Sequence, residues 1–292
     1  MTETDGSSVK VFISVDMEGI SGLVRWADVS AAGIDFARNR RLMTLDANAA
    51  IEGAFAAGAG EVVVEENHGV EDLCVLDVEL IDQRCRVIRG AGRPGATTMA
   101  GLDSRTGVAL LVGHHARAGS FPGIMAHTIS YGGFRLVRLA GKPIGEPDFF
   151  ALRAAELGVP IGMVSGDQVV AEQVLARCPD AETVIVKHAL ANQSADCIPP
   201  ARARRLIAAA AARAVARAAR GELPVCEAGG PYEFEVEMRQ PIGEAMRANL
   251  APLEGFTILD ERLVRVTAPD MDLGFRRVAY LGYADRPGVT RH

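Results

Sequence analysis

Two carboxylates two residues apart, Asp16 and Glu18, stand in Ser14-Val15-Asp16-Met17-Glu18-Gly19 at the end of the first apolar run. In extended backbone, residues i and i+2 leave the same face, so both side chains converge where a strand stops. Such a pair suits a divalent cation better than an apolar core; the plain alternative is an N-cap Asp beside a solvated Glu. Histidines fall at matching places. His68 follows the second strand-like run, in Glu66-Asn67-His68-Gly69, and the pair His114-His115 follows the third, in Gly113-His114-His115-Ala116. Neutral imidazole with carboxylate oxygens is a donor set for zinc, with manganese or cobalt as alternatives. One histidine of the pair can face the site while its neighbour faces away, and spacing does not choose between them. His127 lies in a small-residue loop, Pro122-Gly123-Ile124-Met125-Ala126-His127, and Glu146 in a turn entering a helix, Pro143-Ile144-Gly145-Glu146. Each also has an ordinary reading, as a loop donor and as a first-turn carboxylate favoured by the helix dipole. His188 is a weaker candidate by position after a strand, and His292 is a terminus read as exposed.

These residues need elements that bring them together. Val9–Val15, Glu61–Glu65, Gly107–Val112, Pro160–Val164 and Thr183–Val186 read as strands. Helical patterns fall between them at Asn39–Ala57, stopped by Gly58–Gly60, and at Asp167–Arg177. The alternation predicts an α/β fold, a mostly parallel sheet with helices on both faces. Ligands of such sheets bind beyond the carboxyl ends of the strands, where Asp16, Glu18, His68 and a histidine of the pair would meet if the first three strands are neighbours. Pro199-Pro200 opens an Ala-rich helix to about Arg220, with Arg202, Arg205, Arg213, Arg217 and Arg220 within roughly 120° of one another. That face reads as solvated or as a subunit contact rather than a basic binding surface. After the break Gly229-Gly230-Pro231 come a strand (Tyr232–Met238), a helix (Pro241–Leu250), a strand (Phe256–Thr267) and a helix (Met271–Ala284). The expected organisation is a flexible tail at 1–8, an α/β metal-binding catalytic domain at 9–198, and a smaller α+β C-terminal part at 199–292. That last part either forms its own domain or extends the sheet.

The chain has 292 residues, 49% of them hydrophobic, with a net charge of −6 that argues against nucleic acid or an anionic membrane as partner. No run approaches the ~18 apolar residues of a membrane span, and Met1–Ser8 lacks the apolar core of a signal peptide. Five scattered cysteines without a CxxC pair read as reduced thiols in a cytoplasmic protein. Only Lys10, Lys142 and Lys187 are lysines and no Walker-type loop is present, which disfavours phosphate handling.

The chain resembles the DppA-like zinc D-aminopeptidases associated with dipeptide-transport operons, from about residue 10 to at least residue 200. The motifs that carry the likeness are Ser-Val-Asp-Met-Glu-Gly-Ile-Ser-Gly (14–22), Gly-His-His-Ala-Arg-Ala (113–118), Pro-Gly-Ile-Met-Ala-His (122–127), Pro-Ile-Gly-Glu (143–146) and Ser-Gly-Asp (165–167). The resemblance implies a two-zinc centre held by Asp16, Glu18, His68, His115 and Glu146, with His127 in a catalytic role. It selects His115 over His114, and it promotes Glu146. Three carboxylates would offset three of the four charges on two zinc ions, and a bridging hydroxide the fourth, which makes the cluster cheaper to bury. The resemblance further implies hydrolysis of N-terminal D-amino acids from short peptides by a ring-shaped homo-oligomer, a decamer, whose sites face an internal chamber. Four places depart from the family pattern: Glu66-Asn67 before His68, Pro147-Asp148-Phe149-Phe150, Gln168, and Asn192-Gln193. The rival readings are an amidase of non-peptide amides or a phosphoesterase on the same centre, and a non-catalytic metal-dependent binder or transport accessory protein.

Overall fold

Seven strands hydrogen-bond in the order β3-β2-β1-β4-β7-β8-β9. They are β1 (Lys10–Val15), β2 (Glu61–Glu66), β3 (Arg86–Ile88), β4 (Thr106–Val112), β7 (Ile161–Asp167), β8 (Glu182–Ala191) and β9 (Ser194–Cys197). Only the β8–β9 pairing is antiparallel. The computed structural model describes residues 8–69, 71–93 and 99–284, so residues 1–7 of the expected tail and His292 lie outside the description.

Burial explains why these strands are continuous apolar runs. β1 is covered on both faces: Val11, Ile13 and Val15 pack in the core under α2 (Phe36–Ala56) and α5 (Pro200–Ala219), whereas Phe12 belongs to the core on the other side. That second core takes in α3 (Glu146–Glu156) and α4 (Gln168–Arg177). Parallel strands sandwiched between helices lose the polar alternation of half-exposed strands. The chain leaves β1 for β2 and β3 on one side and returns to β4 on the other. The strand order therefore reverses between β1 and β4, where open α/β sheets form their ligand crevice.

A second, antiparallel sheet has the order β11-β12-β10-β5-β6, from β5 (Phe134–Leu139), β6 (Lys142–Pro143), β10 (Tyr232–Met238), β11 (Phe256–Ile258) and β12 (Leu263–Ala268). On β10, Tyr232, Phe234, Val236 and Met238 are buried, while the intervening Glu233, Glu235 and Glu237 are not. Three further α-helices are α1 (Trp26–Val29), α6 (Glu244–Leu250) and α7 (Met271–Leu281). Phe149 of α3 stacks on Phe234 at 5.3 Å and meets Phe275 of α7 edge-on at 5.4 Å, joining the second sheet to the first.

One C-terminal strand differs from expectation. Phe256–Thr267 is a hairpin rather than one strand, because Asp260 accepts from the backbone N–H groups of Arg262 and Leu263 and turns the chain. The C-terminal strands do not extend the first sheet. Strand β10 pairs with β5, from residues 134–139, so the second sheet draws on both sides of residue 199. The Ala-rich helix packs back on α2, and its Arg213 and Arg217 pair with Glu182 and Asp180. Among the described residues, no helix is long and apolar enough to cross a membrane.

Candidate metal centre

The crevice at the β1/β4 reversal collects six buried polar side chains from three strand ends, a loop and a helix start. Asp16 and Glu18 follow β1, His68 follows β2, His115 follows β4, His127 comes from the next loop, and Glu146 is the first residue of α3. Two glycines allow the strand ends to close up. Gly113 has φ +72°, and a Cβ there would lie 2.4 Å from the carbonyl oxygen of Asp16; a Cβ on Gly19 would lie 2.1 Å from that of His114.

The donors form two groups, Asp16/Glu18/His68 and His115/His127/Glu146, each with its ligand atoms within 4.8 Å of one another. Asp16 stands between them. Its Oδ1 lies 3.5 Å from His68 Nδ1 and its Oδ2 lies 3.4 Å from His115 Nε2. Glu18 Oε2 is 3.1 Å from His68 Nδ1, and Glu146 Oε1 is 3.3 Å from His115 Nε2. His127 Nε2 faces both groups, 4.0 Å from Glu18 and 3.9 Å from Glu146. His114 is fully buried against Phe150, with Nδ1 4.0 Å from Asp16 Oδ2, whereas His115 also reaches Glu146. His188 is exposed on β8 and is not part of either group.

The outer nitrogens of the three grouped imidazoles decide what the inner ones can do. His68 Nε2 lies 2.9 Å from the Val29 carbonyl, His115 Nδ1 3.0 Å from Ala116, and His127 Nδ1 2.9 Å from Met125. A carbonyl only accepts, so each outer nitrogen carries a proton and, in neutral imidazole, the inner one keeps its lone pair. Metal-ligating histidines are oriented in this way. The donor set therefore fits a divalent ion of the zinc type at both groups.

Electrostatics point the same way. Burial pushes the Asp16 carboxyl up, but the hydrogen bond from His68 and the charges of His115 and His114 hold it well below the ordinary range. Burial likewise opposes ionisation of Glu146, yet His115 and His127 bring it down to about 2. His115 is pushed down by burial and lifted to about 10 by Glu146, Asp16 and Glu18. His68 is raised well above its usual value because Glu18 and Asp16 outweigh its burial. His127 goes the other way: burial and the neighbouring His115 lower it. The three carboxylates thus draw protons onto His68 and His115, where a metal would compete with them.

The family described as D-aminopeptidase, peptidase family M55, matches residues 9–279. The chain belongs to this family. A D-aminopeptidase of Bacillus subtilis (strain 168) is 36% identical over 199 residues, 68% of this chain and 71% of that protein. A solved structure, described as the Zn-dependent D-aminopeptidase DppA from Bacillus subtilis, a self-compartmentalizing protease, has a TM-score of 0.87 at 27% identity. It covers 97% of this chain, which in turn spans 100% of it.

In this member of the D-aminopeptidase family, several residues that spacing did not single out brace the site. Lys187 is buried in β8, and its Nζ donates to the backbone carbonyls of Glu18, Ile20 and Leu23. Asp46 of α2 accepts from the N–H and hydroxyl of Ser21. Together they pin the loop that carries Asp16 and Glu18. A lysine ending the apolar run Val184-Ile185-Val186 was the available signal for the first. The departures from the family pattern lie close by. Asn67 donates to Glu146, Asn192 donates to the Gly123 carbonyl below the His127 loop, and Gln193 accepts from the backbone N–H of Trp26. A cavity of about 990 Å³ opens over both donor groups, and Trp26, Ile129, Tyr131, Phe275 and Tyr280 line its apolar part.

Proposed function

We propose that this chain is a two-zinc aminopeptidase that removes N-terminal D-amino acids from short peptides. The observation that carries the reading is the orientation of the three imidazoles: outer nitrogens on main-chain carbonyls, inner nitrogens facing three buried carboxylates. Asp16, Glu18, His68, His115 and Glu146 are the proposed ligands, with Asp16 shared between the two positions. When bound, the ions would lower the pKa of a shared water and polarise the substrate carbonyl.

The protein's own groups do the rest. Glu146 Oε1 is fixed by the Ile129 N–H at 2.7 Å and Asp16 Oδ1 by the Met17 N–H at 2.8 Å, so neither carboxylate needs to reorganise. His127 holds its Nδ1 proton on Met125 and presents Nε2 to the cavity. A depressed pKa keeps this ring neutral, so Nε2 takes the proton of the attacking water and returns it to the leaving amine nitrogen. All six side chains come from the proposed catalytic part at 9–198, which α5 supports and α7 walls. The self-compartmentalizing relative supports assembly of this chain into a homo-oligomer; a decameric ring with inward-facing sites is the form that the family resemblance implies. The five unpaired cysteines fit a cytoplasmic location.

The test is metal content together with amine release from D-Ala-D-Ala and L-Ala-L-Ala. About two zinc per chain and chelator-sensitive, D-selective turnover are expected. Bound metal with no cleavage of peptides or simple amides would leave a binding protein in place of an enzyme. The mass in solution, read by light scattering, tests the ring.

A further inference from the structure

A run of ring-to-ring contacts leads out of the candidate metal centre. His115 and His127 lie parallel with centroids 4.0 Å apart, Trp26 meets His127 edge-on at 5.4 Å, and Tyr131 packs on Trp26 at 4.2 Å. The guanidinium of Arg239 sits 5.0 Å above the Tyr131 ring. Both ends of the run are thus held: His115 by the carboxylates, Tyr131 by a cation–π contact, with Gln193 fixing the start of α1 at Trp26. Tyr280 and Phe275 of α7 line the same cavity. Its volume, about 990 Å³, is at the upper end of the ~300–1,000 Å³ range of sites that enclose drug-sized ligands. Arg276 is the one Lys or Arg among the described lining residues, and Asp272 already holds it at 3.1 Å.

We propose that Trp26, Tyr131 and Tyr280 form the receptor for the side chain next to the scissile carbonyl, so that the preferred substrates are amides and peptides of bulky apolar D-amino acids. This inference rests on the hydrolase reading above and adds the substrate class. His127, whose Nε2 exchanges protons with the attacking water and the leaving amine at the scissile carbonyl, touches Trp26 directly, so the side chain next to that carbonyl is the group carried against Trp26. A rigid, preformed aromatic surface rewards a large apolar group through the area it buries. A single methyl group leaves most of that surface wet.

The experiment compares D-phenylalaninamide with D-alaninamide on the zinc-loaded chain, since amino-acid amides carry no second residue. A kcat/KM about 10–100-fold higher for the phenyl substrate is expected. Tyr131→Ala, Tyr280→Ala and Trp26→Leu should each pull that ratio toward one. A loss falling equally on both amides would make the wall a support for His127 and overturn the proposal, as would a preference for D-alaninamide. Cleavage of D-Ala-D-Ala but of neither amide would overturn this proposal alone, whereas cleavage of neither the amides nor the dipeptide by zinc-loaded protein would remove the hydrolase reading itself. Trp26 is the only tryptophan in the chain, so its emission gives a readout independent of turnover. D-phenylalanine should shift it and D-alanine should not; an emission unmoved by D-phenylalanine overturns the proposal.

Discussion

The two donor groups are built in different ways. Asp16, Glu18 and His68 sit directly beyond two adjacent parallel strands, whose register sets their spacing. His115, His127 and Glu146 need a strand end, a loop and a helix start to meet. That loop is strained: Met125 has φ +47° and the β-branched Ile129 φ +61°, on either side of His127. Ile129 then uses its N–H on Glu146, so the strained backbone and the carboxylate hold one another. A group supplied by strand ends comes with the sheet, whereas the other must be held in place by the surrounding structure. That is where substitutions can alter chemistry while leaving the fold intact.

Asp16 joins the two groups, and its loss should have the largest effect. Asp16→Ala is expected to lose both ions and all measurable turnover; zinc at the wild-type level in that variant would remove Asp16 from between the groups. His127→Ala separates holding metal from using it. Turnover should fall about 10²–10⁴-fold with zinc content unchanged. Loss of zinc on elemental analysis would instead place His127 among the ligands. Lys187→Met tests whether the first group is as self-sufficient as its position implies. It strands three buried carbonyls, so stability should fall by about 3 kcal/mol in denaturant melts, and zinc affinity by about 10–100-fold in competition with a chelator. The smallest effect belongs outside both groups. Arg213→Ala removes an exposed pair with Glu182 and should stay within about 0.5 kcal/mol of wild type, with zinc binding intact.

The first group was also the legible one. Asp16-x-Glu18 and the strand-following histidines announce themselves because period-two geometry and parallel-strand burial are local or nearly so. Glu146 was visible only through the family resemblance, since a first-turn glutamate looks the same whether it caps a helix or faces a metal. Trp26 and Lys187 carried weak signals, a single tryptophan and a lysine closing an apolar strand, whose meaning depends on which distant carbonyl or ring they meet. The parallel sheet was readable for the same reason as its buried apolar strands. The second sheet was not: β5, Phe134-Arg135-Leu136-Val137-Arg138-Leu139, breaks the alternation of a half-exposed strand, and Leu259–Arg262 reads as strand although Asp260 makes it a turn.

Lys187 has a consequence in time as well as in space. The carbonyls that it gathers lie 164–169 residues before it in the chain. Contacts of such long sequence separation form late, because loop closure must come before they contribute. The loop after β1 that carries Asp16 and Glu18 is made early in synthesis, yet it cannot be clamped until β8 has been added to the sheet. Hydrolytic competence is therefore expected only once the central strands are all in place, so the enzyme stays inactive while its own chain is still extended.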